Sequence, residues 1–279
     1  MNVVFYLLGD MGSGDESQLK VSNAMKQNMA DKKKTFVLGL GDNIYEKGCE
    51  SSNDSQFMTK FEEPYSRISD KIKFYMLLGN HDYRGNINAQ LSYAKKSKER
   101  GGKWVMDSTY YVPNTNTSNI VEFFIIDSNM DDLSEESIQK QLKYMKNKIH
   151  KSTATWKVVN GHHTWRSIAG HGNAEPRLES FLMELFRDAP FDVYMCGHDH
   201  NKQIISTTIN NVPVTMIVCG TGGKAYHDTN NLENLDNIHD LEFVSNNLGF
   251  GRCSATKKHL DVSFFDGNND EEYKYRLEK

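Results

Sequence analysis

Asn160-Gly161-His162-His163 and Cys196-Gly197-His198-Asp199-His200 each close a short apolar run, residues 156–159 and 191–196. Runs of this length, rich in Val, Trp, Tyr and Phe, read as buried strands. Their histidines therefore stand at carboxyl ends of strands, where open α/β sheets carry their sites. Three earlier runs end alike: 3–8 leads into Gly9-Asp10, 35–40 into Gly41-Asp42, and 73–78 into Gly79-Asn80-His81-Asp82. One such ending is a turn. Five, each delivering Asp, Asn or His, describe a metal site.

Outward from these endings, the first half reads β-α-β-α-β. A helix is expected over about 18–30, and Phe57, Phe61, Tyr65 and Ile68 recur at helical spacing. This order is the signature of a parallel sheet with crossover helices. Residues 89–98 read as a helix. Tyr110-Tyr111-Val112 and 121–126 read as strands around a turn at Pro113-Asn114. A helix follows from Ser134 to about His150, with Ser134 as cap, Glu135 and Glu136 in the first turn, Lys146 and Lys148 near the end, and Ile138, Leu142, Met145 and Ile149 as its apolar stripe. Another helix lies near 179–187. After His200 the pattern becomes strands without helices, at 204–209, 214–219, 251–255 and 260–265, with hairpin turns at Asn210-Asn211 and Asp266-Gly267. The expected class is α/β: a mainly parallel sheet followed by a meander, hence two sheets packed face to face with helices outside. No internal repeat or domain boundary is visible.

The 279 residues suffice for one large domain or two small ones, and 38% hydrophobic residues allow a sizeable core. A formal charge of −4, with no like-charge block longer than Lys32-Lys33-Lys34, argues against nucleic acid as a partner. No apolar run approaches the roughly 18 residues that a bilayer span requires, so no membrane partner is expected. The first strand begins almost at Met1 and no signal peptide is visible, so the reading leans intracellular unless a leader has been removed. Cys49, Cys196, Cys219 and Cys253 are widely spaced without a C-x-x-C pair, which argues against a zinc ribbon; Cys196 and Cys219 read as buried thiols. Asn53-Asp54-Ser55 and Asn116-Thr117-Ser118 match the glycosylation sequon and carry little weight in so Asn-rich a chain.

The candidate constellation is Asp10, Asp42, Tyr45, Asn80, His81, His162, His198 and His200. Carboxylate and imidazole suit iron and borderline divalent metals. One metal cannot use so many groups; two metals sharing a carboxylate can, and such pairs serve phosphoryl chemistry. Alone, each Asp would read as a turn residue, Asn80 as a loop amide, Tyr45 as a packed aromatic, and His198 and His200 as alternating in and out of a strand; the joint pattern at five strand ends is what carries the inference. His150, His227, His239 and His259 match no motif and are expected at the surface.

Gly9-Asp10-Met11-Gly12, Gly41-Asp42-Asn43-Ile44-Tyr45, Gly79-Asn80-His81-Asp82, Asn160-Gly161-His162 and Gly197-His198-Asp199-His200 resemble the five motifs of the purple acid phosphatases, within the calcineurin-like metallophosphatase superfamily. The match is closest to the small, tartrate-resistant type, and Gly85-Asn86-Ile87-Asn88-Ala89-Gln90 and Ser167-Ile168-Ala169 also resemble that type. The resemblance implies the metallophosphatase fold, a four-layer α/β/β/α sandwich of two mixed sheets, with residues 1–279 as one catalytic domain. It implies an acid phosphatase that hydrolyses phosphate monoesters, with a hydroxide held by the metals as nucleophile. Asp10, Tyr45 and His200 would hold Fe(III), Asp42 would bridge, and Asn80, His162 and His198 would hold a divalent Fe, Zn or Mn. His81 would face the phosphate, and His171 matches a substrate-side histidine. Gly170 stands where an acidic residue usually precedes that histidine, so the resemblance does not carry over the usual pairing of acid and histidine for leaving-group protonation. His163, Thr164, Trp165 and Arg166 also depart from the type, and Arg166 is either a phosphate contact or a solvated side chain. The stretch after Asp127 is shorter than the loop that covers the site in secreted relatives.

A charge count supports a ferric site independently. Tyrosine with a pKa of about 10 is normally neutral, and a trivalent cation can hold it as phenolate. With Asp10, Asp42, a Tyr45 phenolate and one hydroxide, a trivalent–divalent pair remains net positive and favours a phosphate dianion. The expected substrates are small phosphate monoesters or phosphopeptides, and the expected state is monomeric. Two other readings compete. A non-redox dinuclear phosphodiesterase or protein phosphatase of the wider superfamily would lack the tyrosine three residues after the bridging Asp. A catalytically silent binding protein of the same fold would lack ligands.

Overall fold

The computed structural model describes residues 2–29, 35–117, 119–225 and 228–279. Ala30 at the expected helix end, the Lys32–Lys34 run, Ser118 of one sequon and His227 lie outside the described residues. Strands β1 (Val3–Leu8), β2 (Thr35–Gly39), β3 (Phe74–Met76) and β4 (Trp104–Val105) run parallel in one sheet. Strands β5 (Val121–Ile125), β6 (Trp156–Asn160) and β7 (Val193–Cys196) run parallel in a second. The helices between them are α1 (Glu16–Asn28), α2 (Asn80–Tyr83), α3 (Ile87–Glu99), α4 (Glu135–Lys151) and α5 (Pro176–Asp188). The remaining strands are β8 (Lys202–Ile209), β9 (Val212–Cys219), β10 (His239–Ser245), β11 (Gly249–Ala255), β12 (His259–Asp266) and β13 (Glu271–Glu278).

The expected single meander instead divides. Strands β8 to β10 complete the second sheet in the order β10-β8-β9-β7-β6-β5, while β11 to β13 join the first as β13-β12-β11-β1-β2-β3-β4. The crossing point is β11, which pairs antiparallel with β1 from Val3↔Ala255 to Leu7↔Gly251. Both sheets are therefore mixed.

Period-two alternation builds the four layers. Phe123 and Ile125 of β5, Val158 of β6, and Val193 and Met195 of β7 point into the core between the sheets. Their neighbours Phe124, Val159, Tyr194 and Cys196 point the other way, onto the apolar stripes of α4 and α5. Phe5 of the first sheet meets Phe123 of the second edge-on at 4.9 Å, closing the interface. The α4 stripe is the expected one: Ile138, Leu142, Met145 and Ile149 are all buried, and Ser134 caps the helix by accepting from the Ser137 N–H at 3.2 Å. The architecture is the α/β/β/α sandwich of the metallophosphatase fold.

Several local expectations differ. Tyr110-Tyr111-Val112 is no strand: Tyr111 makes one isolated bridge to Ile125 before Pro113, which has no N–H to continue a ladder. Phe57, Phe61, Tyr65 and Ile68 are buried together, on a π-helical turn (Met58–Glu62) and the turns after it. His239 was expected at the surface, but its ring is 3% exposed beside Asp236. Lys146, near the end of α4, also pairs with Glu184 and Asp188 of α5. All four cysteines are buried free thiols. Among the described residues no helix is long and apolar enough to cross a membrane.

Candidate metal centre

Parallel strands aim their carboxyl ends at one place, and here two sheets do so together. β1 and β2 deliver Asp10 and Asp42, β3 leads to Asn80 at the start of α2, and β6 and β7 deliver His162 and His198. The ends are laced by backbone bonds, Asp10 N–H to Gly41 O at 3.0 Å and Gly197 N–H to His162 O at 3.1 Å. The His198 N–H donates to Asp10 Oδ2 at 2.9 Å, tying one sheet to the other.

The turns after the strands are tight. Asp10, Asp42 and His198 all hold left-handed backbone, with φ of 57°, 52° and 69°. Non-glycine residues enter that region rarely, and such strain gathers at functional sites. Two glycines admit the approach. A Cβ on Gly41 (φ 88°) would stand 2.5 Å from His162 Nδ1, and one on Gly79 would stand 2.2 Å from Asp42 Oδ1.

The side chains sort into two groups around Asp42. In the first, the Tyr45 hydroxyl donates to Asp10 Oδ1 at 2.9 Å and lies 3.0 Å from His200 Nε2, which is itself 3.2 Å from Asp10 Oδ1. Asp10, Asp42 and His200 offer ligand atoms within 4.8 Å of one another, a spacing that could hold a metal ion. In the second, His162 Nε2 lies 3.1 Å from Asn80 Oδ1, 3.2 Å from His198 Nδ1 and 3.4 Å from Asp42 Oδ1. His162 Nδ1 donates to the Leu40 carbonyl at 2.8 Å, since a carbonyl only accepts, so in the neutral ring the Nε2 lone pair faces the gap. Such an outer hydrogen bond is how metal-ligating histidines are oriented. Two groups of converging acceptors sharing one carboxylate fit a pair of cations.

The electrostatics agree. Burial raises the Asp42 carboxyl, but His162, His81 and the hydrogen bonds from His81 N–H and Tyr45 outweigh it and hold it below its usual value. Burial, then the Asp10 and Asp42 charges, push the Tyr45 hydroxyl far above its usual range, so without a cation it is a phenol. Burial lowers His162, yet Asp42 and Asp10 bring it above its ordinary value. Burial and the neighbouring His162 hold His198 well down and bring His163 to about 3.

His81 lies outside both groups. Its N–H donates to Asp42 Oδ1 at 2.9 Å, its Nδ1 is 2.8 Å from the Glu46 carbonyl, and its ring is edge-on to Tyr45. His171 is exposed and stacks on His198, ring centroids 4.0 Å apart. Arg166 does not reach the centre: it forms a two-pronged pair with Glu179 of α5, at 2.6 and 2.8 Å. Lys224 stands over the Tyr45 ring at 4.0 Å and pairs with Glu46 at the rim.

Sequence reasoning named the donors and missed their supports. Asp82 is fully buried and accepts N–H bonds from Gly79, Asn43, Ile44 and the Gln90 side chain, pinning the Tyr45 loop to the Asn80 loop. Burial, with the Asp42 charge, pushes its carboxyl up to about 7. Asp199 accepts from Ser167 Oγ and from the His171 N–H at 3.0 Å, fixing the loop under His171. A buried Asp inside a ligand motif was the available signal for both. A cavity of about 570 Å³ lined by Tyr75, Leu91, Trp104 and Met106 shares no residue with the centre.

Comparison with known proteins accords with this geometry. Residues 3–202 match the family model of the calcineurin-like phosphoesterases. Purple acid phosphatase 4 of Arabidopsis thaliana is 31% identical over 297 residues, covering 100% of this chain and 84% of that protein. Tartrate-resistant acid phosphatase type 5 of Oryctolagus cuniculus is 30% identical over 268 residues, covering 88% of this chain and 79% of that protein. Among solved structures, GAP50, described as the anchor in the inner membrane complex of Plasmodium, shares the fold at a TM-score of 0.82 and 22% identity, covering 99% of this chain and 89% of that one. A purple acid phosphatase from yellow lupin (Lupinus luteus) seeds shares it at 0.74 and 16% identity, covering 100% of this chain and 54% of that one. The chain belongs to the calcineurin-like phosphoesterase family and, within it, to the purple acid phosphatases.

Proposed function

We propose that this phosphatase hydrolyses phosphate monoesters, small esters or phosphopeptides, at an Fe(III)–M(II) centre in which M is Fe, Zn or Mn. Asp10, Tyr45 and His200 would hold the ferric ion, Asn80, His162 and His198 the divalent one, and Asp42 both. The observation that carries this reading is Tyr45: its hydroxyl lies between Asp10 and His200 and within the reach of Asp42. The first group is thus anionic and oxygen-rich, which suits a hard trivalent ion; the second is rich in imidazole, which suits a divalent one. When bound, the pair supplies positive charge for the phosphate and an activated water. The chain's own residues do the rest. Asp42 keeps the two groups in register. His81 and His171, at the mouth and outside both groups, hold and move the proton that the leaving oxygen requires. A silent binding protein has no use for seven converging donors.

Elemental analysis of chain purified without chelator is expected to give close to two metals per chain, one of them iron, with hydrolysis of an aryl phosphate monoester well above that of the diester. A single zinc without iron, or a preference for the diester, would sink this reading. His81→Ala and His171→Ala are each expected to lower turnover by roughly 10²-fold while both metals stay bound. Loss of metal from either variant would make that histidine a ligand instead.

A further inference from the structure

His163 was not assigned a role by any motif, yet it is held more firmly than a rim residue needs to be. Ser128 Oγ accepts the N–H of His162 at 2.9 Å and the N–H of His163 at 3.1 Å. A hydroxyl has two lone pairs and one proton. Both lone pairs are taken, so the contact of 2.9 Å between Ser128 Oγ and His163 Nδ1 must be the serine proton donated to the ring. Nδ1 is then an acceptor, and the proton of the neutral imidazole sits on Nε2. The backbone is fixed as well, because the Tyr194 hydroxyl donates to the His163 carbonyl at 2.7 Å.

The ring so fixed lies beside the second donor group. Its centroid is 4.5 Å from that of His198 and 5.1 Å from that of His162. His198 is also the ring on which His171 stacks. His163 is half-buried, and its Nε2–H has no protein partner among the described residues. A donor with its tautomer set, its ring immobilised and its proton unspent is what a site offers to an oxygen acceptor that arrives with the substrate.

We propose that His163 is a substrate-contacting residue, an Nε2–H donor locked by Ser128, that hydrogen-bonds an oxygen of the phosphate group on the His162–His198 side. The inference rests on the monoester reading and deepens it. It also gives the chain a fixed donor at a centre where the residue before His171 is Gly170 and carries no acid. A neutral donor grips phosphate in ground and transition states alike, so its loss acts on binding more than on turnover.

The test compares the metal-loaded full-length chain with His163→Phe, which keeps an aromatic ring but no donor, and His163→Gln, which restores an N–H. Calorimetry with inorganic phosphate and steady-state kinetics with an aryl phosphate monoester give the readouts. His163→Phe is expected to bind both metals, to weaken phosphate binding and raise KM by roughly tenfold, and to change kcat only a few-fold. His163→Gln is expected to recover most of the binding. Nitrogen-15 shifts of histidine-labelled, zinc-loaded wild type should show His163 as the Nε2–H tautomer; the Nδ1–H form overturns the proposal, whichever variants fold. Unchanged phosphate affinity in a metal-replete His163→Phe chain overturns it alone. Loss of metal from that variant also overturns it, making the ring a prop for His162 and His198. A wild type that binds no phosphate would overturn both this inference and the monoester reading.

Discussion

Asp42→Asn is expected to leave the chain folded, to reduce bound metal from two ions to one or fewer, and to lower turnover by at least roughly 10³-fold, about 4 kcal/mol of transition-state stabilisation. The substitution is close to isosteric. Asn also tolerates left-handed backbone, so the φ of 52° at this position needs no rearrangement. What changes is charge and donor count. Asp42 Oδ1 faces His162 Nε2 at 3.4 Å and accepts the His81 N–H, while Oδ2 is 3.9 Å from His81 Nε2. An amide there removes the one negative charge common to both groups and turns an N–H₂ toward histidine nitrogens that already face inward. Metal analysis and turnover, measured beside a circular-dichroism melt, separate this from unfolding. Wild-type turnover and metal content in the variant would remove Asp42 from between the two groups.

The same residue shows what was legible in the chain and what was not. An apolar run followed by Gly-Asp states its place locally: the run makes the strand, the glycine allows the close turn, and the acid is delivered at the carboxyl end. That logic reached Asp10, Asp42, Asn80, His162 and His198 because each follows its own strand. Tyr45 and His200 lie a few residues past such endings and joined the candidate set there, their roles at the ferric ion came with the family resemblance, and the structure brings both beside Asp10. The supports outside the motifs were illegible because they are defined by partners far along the chain. Nothing local to Ser128 says that its hydroxyl will meet His162 and His163. Nothing local to Arg166 says that Glu179 will claim it first. The same limit hid the division of the sheets. Hairpin turns announce that neighbouring strands pair, but not that β11 will cross back to β1. The edge strands β10 and β13 carry charged residues along their length, His239-Asp240-Leu241-Glu242 and Glu271-Glu272-Tyr273-Lys274, which protects an edge and erases the apolar run that would reveal it.

Tyr45→Phe is expected to bleach the protein. A phenolate on Fe(III) gives a visible charge-transfer band and a violet or pink solution; carboxylate, amide and imidazole give no comparable band. Burial and the charges of Asp10 and Asp42 hold the hydroxyl protonated when no cation is present, so colour would report iron at this position and nothing else. The ring is 1% exposed, with His81 edge-on against it and Lys224 over its face, so phenylalanine fills the same space and only the oxygen leaves. One anionic ligand is then lost from a hard trivalent ion, and ferric affinity should fall with the colour. Activity falls less than in Asp42→Asn, by roughly tenfold to a hundredfold, because Asp42 and the histidines remain able to gather two divalent ions that activate water. The measurement is an absorption spectrum of wild type and variant at equal iron loading, followed by turnover after loading with zinc or manganese. An iron-loaded, oxidised wild type without a visible band would take Tyr45 off the metal. The donor set would then be that of a non-redox dinuclear phosphoesterase, and substrate preference would have to be tested again with diesters.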